Sequence, residues 1–492
     1  MGHVVGTSRN QIEILSLDEM VKADSPARQI DRLIDEANTS YFEKSETKAT
    51  GRRPFNPKDM LKLFVYGMDN GVQSSRKLER ECKRNIEVMW LLNGLQPDDK
   101  TICNFRRENA ENIARFFDEF CVTLAKAGYI DGKVVAIDGT KIRADNSKRN
   151  NFSAKKLDRH IEYINKKLAE YMRELDKNDR IAELEERKAK YEFFKERIES
   201  GKVTEVSTTD PDARLMKQGN DGVDVSYNIE TAVDGKNKLV TGVMVTNEPN
   251  DQGQLSKLAK AVKENLGLKE MAVPVDKGFY DTEDIKECHG AGITTIIAKP
   301  DEGIAFRKSD FQYEKEDDSY RCPAGQDLLF STEDTNGIRR YENRKACRNC
   351  PRRACCTKGV RRVITRHKHA GHAEQNDRDL AANPMIYKLR QQLCEHPFGT
   401  VKRTMGIRQF LTRGLTNVTA EAALVFLAYN LKRLRKIHSN GNEKDGQTAR
   451  FVQIVRLYLA FLLCLENCPC DWVVTKDVFA QSAVPLCAFP VC

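Results

Sequence analysis

The chain of 492 residues has no apolar stretch long enough to cross a membrane. Its longest apolar run, Leu457 to Leu465, is about half of the roughly 20 residues that a membrane-spanning helix needs. Residues Met1 to Asp18 also lack the apolar core, preceded by positive charge, that marks a secretory signal. Both absences argue against a membrane or exported protein, and we expect the chain to act in the cytoplasm.

A large excess of one sign of charge is missing as well. The 81 Lys and Arg residues face 72 Asp and Glu residues, and the net charge of +9 is compatible with a polyanionic partner without establishing one. Cysteine, by contrast, is plentiful. Fifteen cysteines in a chain with no export signal favour free thiols or metal ligands over disulfides. The length predicts two or three domains.

Two short apolar runs far apart in the sequence each end in an aspartate. VVAIDGTKIRAD delivers Asp138, and MAVPVDKGFY delivers Asp276. Such runs are typical of buried strands, and a buried carboxylate is costly unless a metal ion or a basic partner compensates it. One such aspartate could simply form a turn. Two of them favour a shared acidic metal site, although Pro274 argues against full pairing of the second strand.

The order of predicted elements indicates the fold. An all-α domain, predicted for 1–128, precedes an α/β domain, predicted for 129–440, whose strands include a hairpin at Asp234-Gly235. A mixed sheet in this order, with carboxylates at strand ends, is typical of the RNase-H-like fold. The tail, 441–492, has no role that its sequence indicates.

Basic residues are displayed on the short helices of the first domain. They favour a helix-turn-helix reader of DNA, although a small helical bundle whose basic residues face water explains them equally well. They are Arg76, Lys77, Arg80, Lys83, Arg84, Arg106 and Arg107.

Two insertions interrupt the α/β domain. The first, at about 150–205, contains a Gly- and Pro-free, highly charged stretch that predicts a helical hairpin turning at Asn178 and Asp179. The second, at about 308–365, is rich in cysteine, and its Cys347-x-x-Cys350 spacing suits tetrahedral zinc. Cys322 and either Cys355 or Cys356 would complete four ligands; the alternative is free thiols in a loop-rich segment. Our candidate set for a structural Zn²⁺ is Cys322, Cys347, Cys350 and Cys356.

Several ordered motifs resemble one family. VAIDGTKIRAD, VDKGFYD and YKLRQQLCEHPFGTVK are similar to motifs of bacterial insertion-sequence transposases of the DDE type, in the group with a Tyr-x-x-Arg…Glu…Lys signature. RKLERECKRNIEVMWLLNG, YNIETAVDGKNKLV and the cysteine-containing insertion are similar to that group as well. The resemblance spans roughly residues 31–435.

The resemblance implies roles for individual residues. The catalytic carboxylates, which would hold two Mg²⁺ or Mn²⁺ ions, would be Asp138, Asp276 and Glu395. The DNA-binding residues would be Tyr387, Arg390, Lys402 and, as a substitute for Arg390, Lys388. Lys388 is included because Arg390 departs from the usual spacing to Glu395. Tyr387 could instead be a core aromatic, and Lys402 could lie on a solvated helix face. Pro397 predicts a helix kink or restart just after Glu395.

The implied activity is hydrolysis of double-stranded DNA at terminal inverted repeats, followed by joining of the freed 3′-hydroxyls to target DNA. Pairing two ends requires at least a homodimer, and the protein would work at the nucleoid. An RNase-H-like nuclease without strand transfer and a non-catalytic DNA-binding relative are the alternatives. Among other polar residues, Asp251 is predicted to cap a helix or to support the metal site, and Asp145 and Asp210 to form turns. The histidines of RHKHAGH are predicted to lie in a basic loop near DNA.

Overall fold

Helices form the part of the molecule that precedes the first strand. The computed structural model describes residues 14–42, 53–172, 178–201, 204–218, 222–300, 306–335 and 337–441. The tail 441–492, apart from residue 441, and its apolar run therefore lie outside the described residues. The helices before the first strand are α1 (Leu17–Met20), α2 (Pro26–Glu36), α3 (Pro57–Asp69), α4 (Ser75–Arg84), α5 (Ile86–Leu91), α6 (Asp99–Glu108) and α7 (Ala110–Lys126).

Local signals explain where these helices begin. Ser25, Asn56 and Asp98 each accept a hydrogen bond from a backbone N–H of the first turn, which satisfies a donor that the helix itself leaves unpaired. Proline occupies the first turn of α2 and of α3, where no backbone donor is needed.

The central part of the chain alternates strands with helices. Its first section contains β1 (Val135–Arg143), β2 (Asn151–Ser153), α8 (Ala154–Tyr171), α9 (Asn178–Glu199) and β3 (Glu205–Ser207). Its second section contains β4 (Arg214–Lys217), β5 (Val223–Asp234), β6 (Val240–Thr246), α10 (Leu255–Asn265), β7 (Met271–Val275), α11 (Thr282–Gly290) and β8 (Ile293–Ile297).

Six of these strands form one mixed sheet. Its order is β6-β5-β1-β7-β8, and β4 shares the outer edge of β5 with β6. β5 runs antiparallel to β1 and β6, whereas β7 and β8 run parallel to β1. The apolar side chains of α10 and α11 pack with those of β1 and β7 in one buried core. The predicted mixed α/β sheet and its hairpin at Asp234-Gly235 are confirmed.

The cysteine-rich insertion and the C-terminal helices complete the described chain. In order, they are β9 (Gln312–Glu314), β10 (Ser319–Arg321), β11 (Asp327–Glu333), β12 (Ile338–Glu342), α12 (Arg344–Arg348), α13 (Arg353–Cys356), β13 (Val363–His367), α14 (Ala370–Ala382), α15 (Pro384–Gly399) and α16 (Leu415–Gly441). The five strands form an antiparallel sheet in the order β13-β12-β11-β10-β9. Its core cluster is small: Phe311, Tyr320, Leu328, Tyr341 and Ile364.

Helix α16 joins the helical part of the chain to the sheet. It contacts α3 and α7 as well as β6, and as a result residues 420–431 are buried on every side. Asn430 ties it to the sheet, since its amide both donates to and accepts from the backbone of Val240 at 2.8 Å. Asp69 at the end of α3 accepts two hydrogen bonds from Arg435, each 2.6 Å long.

Four local predictions can be compared with these elements. The helical hairpin is confirmed by α8 and α9, which pack together, but a turn at Asn178 and Asp179 is wrong because α9 begins at Asn178. Pro274 does leave β7 incompletely paired. β7 pairs with β8 throughout, but on its other side the structure shows only a pairing of Val275 with Ile137 of β1 and an isolated bridge of Ala272 to Val134, just before β1. A restart after Glu395 is wrong, since α15 continues to Gly399 and a π-helical turn follows over Thr400–Thr404, and the alternative, a kink at Pro397, stays a prediction.

Among the described residues, no helix has both the length and the apolar character that crossing a membrane requires.

Candidate active site

The sheet brings Asp138 and Asp276 next to each other. Ile137 on β1 and Val275 on β7 are paired in register on adjacent parallel strands, and each is followed directly by one of the aspartates. Asp276 follows the last residue of β7, as predicted, whereas a strand end at Asp138 is wrong because β1 continues to Arg143. Because both strands run in the same direction, the two carboxylates emerge at the same edge. The predicted pairing of these two acids therefore corresponds to neighbouring positions in the structure.

Asp138 is held in a partly buried and electrostatically strained position. Its Oδ1 accepts a hydrogen bond of 2.9 Å from the backbone N–H of Gly139. Burial raises the pKa of Asp138 to about 6, and the negative charges of Asp276 and Asp251 add to that rise, while the Gly139 N–H and Arg390 oppose it. The carboxylate thus lies where positive charge is insufficient to hold it fully ionised.

Arg390 on α15 supplies the positive charge nearest to these acids. Its Nη2 lies 3.3 Å from Oδ1 of Asp276, and its side chain is only 19% exposed. Its Nε is buried with no hydrogen-bond partner, and its guanidinium lies 5.7 Å from the ring centre of the half-buried Tyr387. Lys388 is exposed. Of the two basic residues considered for this position, Arg390 is therefore the one that faces the aspartates.

Glu395 lies on the same helix as Arg390 but is exposed. Its Oε1 accepts a hydrogen bond of 2.9 Å from Nε2 of Gln391. Across the described ranges, no group of three or more His, Cys, Asp or Glu side chains is arranged to hold a metal ion. The structure therefore brings two of the three predicted carboxylates together, and Glu395 stays a prediction.

Lys402 follows α15 in the π-helical turn and contacts β1. Its Nζ donates to Oγ1 of Thr140 at 2.6 Å and to the carbonyl of Lys141 at 3.2 Å. The ammonium thus lies against the strand that carries Asp138, two residues beyond it. Lys402 is half-buried, so the alternative that it lies on a solvated helix face is wrong.

Sequence reasoning missed a buried polar group beside Asp138. Glu230 on β5 is fully buried and lies opposite Gly139, so that a side chain at Gly139 would meet its Oε2 at 2.7 Å. Asn228 donates to Oε1 of Glu230 at 2.7 Å and to Oδ1 of Asp251 at 2.8 Å. Capping of α10 by Asp251 is therefore wrong: its side chain turns toward Asn228, and α10 has no side-chain cap.

The environment of Glu230 keeps its carboxyl group neutral. Burial raises the pKa of Glu230 to about 9, and the nearby charges of Asp251 and Asp138 add to the rise. A neutral carboxyl can donate a hydrogen bond, and glutamine has the same shape and also donates. The alternating pattern of β5 hid this residue, because its polar positions are predicted to face water whereas most of the strand is buried on both faces.

Glu230→Gln is expected to stabilise the protein increasingly as pH rises. The carboxyl has a pKa in the folded protein above its pKa in the unfolded chain. Ionisation of the unfolded chain therefore does not lower the free energy of unfolding below about pH 4.5, and lowers it progressively between there and about pH 9. The melting temperature of the variant should therefore match that of the wild type near pH 5 and exceed it by several degrees near pH 9, measured without divalent ions. A difference that does not change with pH would contradict this account of Glu230.

The four candidate zinc ligands line one small cavity at the end of the insertion sheet. Cys322, Cys347, Cys350 and Cys356 surround about 40 Å³. Sγ of Cys322 accepts a hydrogen bond of 3.4 Å from the backbone N–H of Gln326. Burial raises the pKa of Cys356, Arg362 lowers it, and the other three thiols raise it further. Cys355, in contrast, is exposed.

The basic residues of the N-terminal helices are mostly on the surface. Arg106 is the exception, because it is only 4% exposed and lies 5.7 Å from the ring centre of Phe64. The prediction that Arg106 is displayed for DNA is wrong, because the core of the helical region holds it. Arg76 and Arg84 are exposed and paired with Asp99 and Glu81.

Comparison with known proteins gives two family-model matches. Residues 15–108 match a transposase domain (DUF772), and residues 321–435 match a transposase DDE domain. Each match covers less than a quarter of the chain, and together they support an insertion-sequence DDE transposase. The second match includes Glu395, whereas Asp138 and Asp276 lie before it.

Two further comparisons add little. No curated protein matches the chain. Among solved structures, a cryo-EM structure of a piggyBac transposase synaptic complex with hairpin DNA aligns over 90% of this chain and 78% of that chain, with 9% identity and a TM-score of 0.30. A similarity at that score carries no argument about the fold or the site.

Proposed function

We propose that the chain binds the terminal inverted repeats of an insertion sequence, hydrolyses phosphodiester bonds at its ends and joins the freed 3′-hydroxyls to target DNA. The observation that carries this proposal is the adjacency of Asp138, within β1, and Asp276, directly after the parallel strand β7, beside Arg390. In a DDE transposase, two acids so placed are suited to hold the catalytic ions.

The sheet supports assignment to the RNase-H-like fold. Three antiparallel strands, β1, β5 and β6, are followed in sequence by β7 and β8, which add in parallel on the other side of β1. This arrangement puts β1, which contains Asp138, in the middle of the sheet. The proposed domain limits are 1–128 for DNA binding and 129–440 for catalysis.

The acids present fit divalent cations of the Mg²⁺ or Mn²⁺ type. Their ligands would be hard carboxylate oxygens, and the pKa of Asp138 is raised mainly by burial and further by the charges of Asp276 and Asp251, which a cation would offset. Asp138, Asp276 and Glu395 would hold the ions, with Glu395 brought in by a local movement of α15. When bound, such ions stabilise the charge that develops on the attacking and leaving oxygens of a phosphodiester.

The basic residues around the acids would orient the DNA. Arg390 compensates Asp276, and it becomes available to a backbone phosphate once cations neutralise the acids. Tyr387 lies against Arg390 and restricts its position. Lys402 contacts β1 beside Asp138, so it holds the strand in place and adds positive charge where a phosphate would approach.

The remaining partners follow from the reaction. The exposed basic residues of α4 and α6 would bind the repeats, and two ends held together require at least a homodimer. The protein would act at the nucleoid, in the cytoplasm. A nuclease without strand transfer has the same active site, so only the reaction products separate it from a transposase.

The experiment is a cleavage and joining assay with Mg²⁺ on a duplex that carries the end of the element, using wild type and Asp138→Ala. Cleavage followed by joining in the wild type alone is the result that the proposal expects. Cleavage without joining would support a nuclease, and binding without cleavage a non-catalytic relative. Either of these two results would overturn the proposal.

We also propose a structural Zn²⁺ in the cysteine-rich insertion. The cavity of about 40 Å³ exceeds the roughly 10–15 Å³ of one probe sphere, and thiolate is a preferred ligand of zinc. The surrounding sheet has only five buried core side chains, and domains of this size often need a metal to be stable. The four thiols line the cavity but are not arranged as a tetrahedral ligand set. Binding of Zn²⁺ would therefore draw them together.

Zinc content of purified cysteine variants tests this site. Cys347→Ser and Cys356→Ser are expected to lower the zinc bound per chain by about one ion and to reduce the melting temperature, because a structural metal contributes directly to folding. Cys355→Ser is the matched control, since Cys355 is adjacent in sequence but exposed. Equal zinc loss in Cys355→Ser, or no zinc in the wild type, would contradict the proposed ligand set.

A further inference from the structure

A second basic site lies in the cysteine-rich insertion, between its sheet and the first turn of α14. It is a cleft of about 500 Å³. We call it the insertion cleft. The residues that line it are Tyr313, Lys315, Arg339, Arg366, His367, Lys368, Gly371 and Glu374. Four of these side chains are cationic and one is anionic. Because both arginines pair with carboxylates, Lys315 and Lys368 carry the positive charge that is left for an anion. None of the lining residues belongs to the candidate active site.

The two arginines of the insertion cleft are held in place. The Arg366 guanidinium lies 3.7 Å from the ring centre of Tyr313, donates to the Tyr320 hydroxyl at 3.2 Å and pairs with Glu374. Arg339 pairs across the sheet with Asp318 at 3.2 Å and Glu333 at 3.0 Å. Both guanidinium groups are therefore fixed, but carboxylates already compensate their charge, so the lysines of the cleft carry its uncompensated positive charge.

The two lysines of the cleft carry charge that the fold does not use. Lys315 and Lys368 are both exposed, and within the described part of the chain neither ammonium pairs with a carboxylate. The stem of Lys368 packs over Gly337, where a Cβ would lie 2.6 Å from its Cδ, and this contact restricts the ammonium to the cleft rim. Glu316 and Asp317 on the adjoining turn lower the positive potential near Lys315. Lys368 therefore attracts an anion more strongly than Lys315 does.

The sequence around the cleft is far more basic than the chain as a whole. Residues 338–368 contain twelve Lys and Arg residues and a single acid, Glu342. The rest of the chain therefore carries a slight negative balance against the total of +9. A positive charge concentrated in one segment, of which Arg339, Arg366 and Lys368 line the cleft, is complementary to a nucleic-acid backbone.

We propose that the insertion cleft binds backbone phosphates of duplex DNA and forms a contact separate from the cleavage site. The inference rests on the proposed function for its choice of duplex DNA as the polyanion. The cleft offers charge and a stacked Tyr–Arg pair rather than a set of base-reading amides, so the contact should not depend on base sequence.

Salt-dependent DNA binding by the full-length chain tests this inference. Affinity for a fluorescent duplex is measured without divalent ions, over a range of salt concentrations, for wild type and for Lys315→Gln/Lys368→Gln. Removing one ammonium that binds a phosphate should reduce the slope of log affinity against log salt by about 0.9. We expect the double variant to reduce the slope by about 1 to 2 and to weaken binding by about tenfold.

The matched control is Lys345→Gln/Lys358→Gln, which removes the same charge from exposed positions of the same segment outside the cleft. An equal reduction of the salt slope in both double variants would mean diffuse electrostatic attraction and would overturn the proposal that the cleft binds DNA. No reduction of the slope in either variant would overturn it as well. Stronger competition by a structured RNA than by duplex DNA would overturn the choice of partner. Binding that persists in a wild type unable to cleave with Mg²⁺ would count against the proposed function only.

Discussion

Asp138→Asn is expected to lower the rate of DNA cleavage by about a thousandfold or more and to leave the protein folded. The amide keeps the shape of the side chain but loses the charge that binds divalent ions, and such ions contribute several kcal/mol to phosphoryl chemistry. Stability should not fall, because burial, together with the negative charges of Asp276 and Asp251, already disfavours the ionised carboxylate. The measurement is single-turnover cleavage with Mg²⁺, alongside thermal unfolding.

Asp145→Asn provides the control for this prediction. Asp145 follows the same strand and pairs with Arg413 at 2.8 Å on the surface, away from the acids. Its substitution should leave the cleavage rate within about threefold, because surface ion pairs contribute little. Cleavage by Asp138→Asn at more than about a tenth of the wild-type rate would refute the role given to Asp138.

Glu395→Gln is expected to lower cleavage by about a hundredfold or more, whereas Glu230→Gln should leave it nearly unchanged. Glu395 is exposed on the helix that carries Arg390, and the proposed function makes it the third ligand of the ions. Glu230 is buried and neutral, and glutamine reproduces both its shape and its hydrogen bonding. The measurement is the same single-turnover assay. The reverse result would transfer the third carboxylate from Glu395 to Glu230.

The adjacency of Asp138 and Asp276 was accessible from the sequence because it depends on local pattern. Each aspartate ends a short apolar run, and parallel strands bring such ends to one edge of a sheet. The same reasoning could not choose between Arg390 and Lys388. Helix spacing gives relative positions along α15, but which face meets the acids depends on how the helix packs.

Glu230, Asp251 and α16 show what sequence patterns do not contain. Alternation along β5 indicates two different faces, yet both are largely buried because other parts of the chain cover the polar one. The partner of Asp251 is Asn228, a contact that only the folded sheet creates. In the same way, α16 has an apolar stripe in sequence, but contacts with α3, α7 and β6 bury residues 420–431 all around.

The most direct test of the account is anomalous diffraction from crystals of the wild-type chain equilibrated with Mn²⁺, compared with crystals of Asp138→Asn. The account predicts a manganese peak about 2.1 Å from carboxylate oxygens of both Asp138 and Asp276 in the wild type, and its loss in the variant. A peak bound only by Glu230 and Asp251, or a peak that persists in Asp138→Asn, would contradict the claim that these two aspartates hold the catalytic ions.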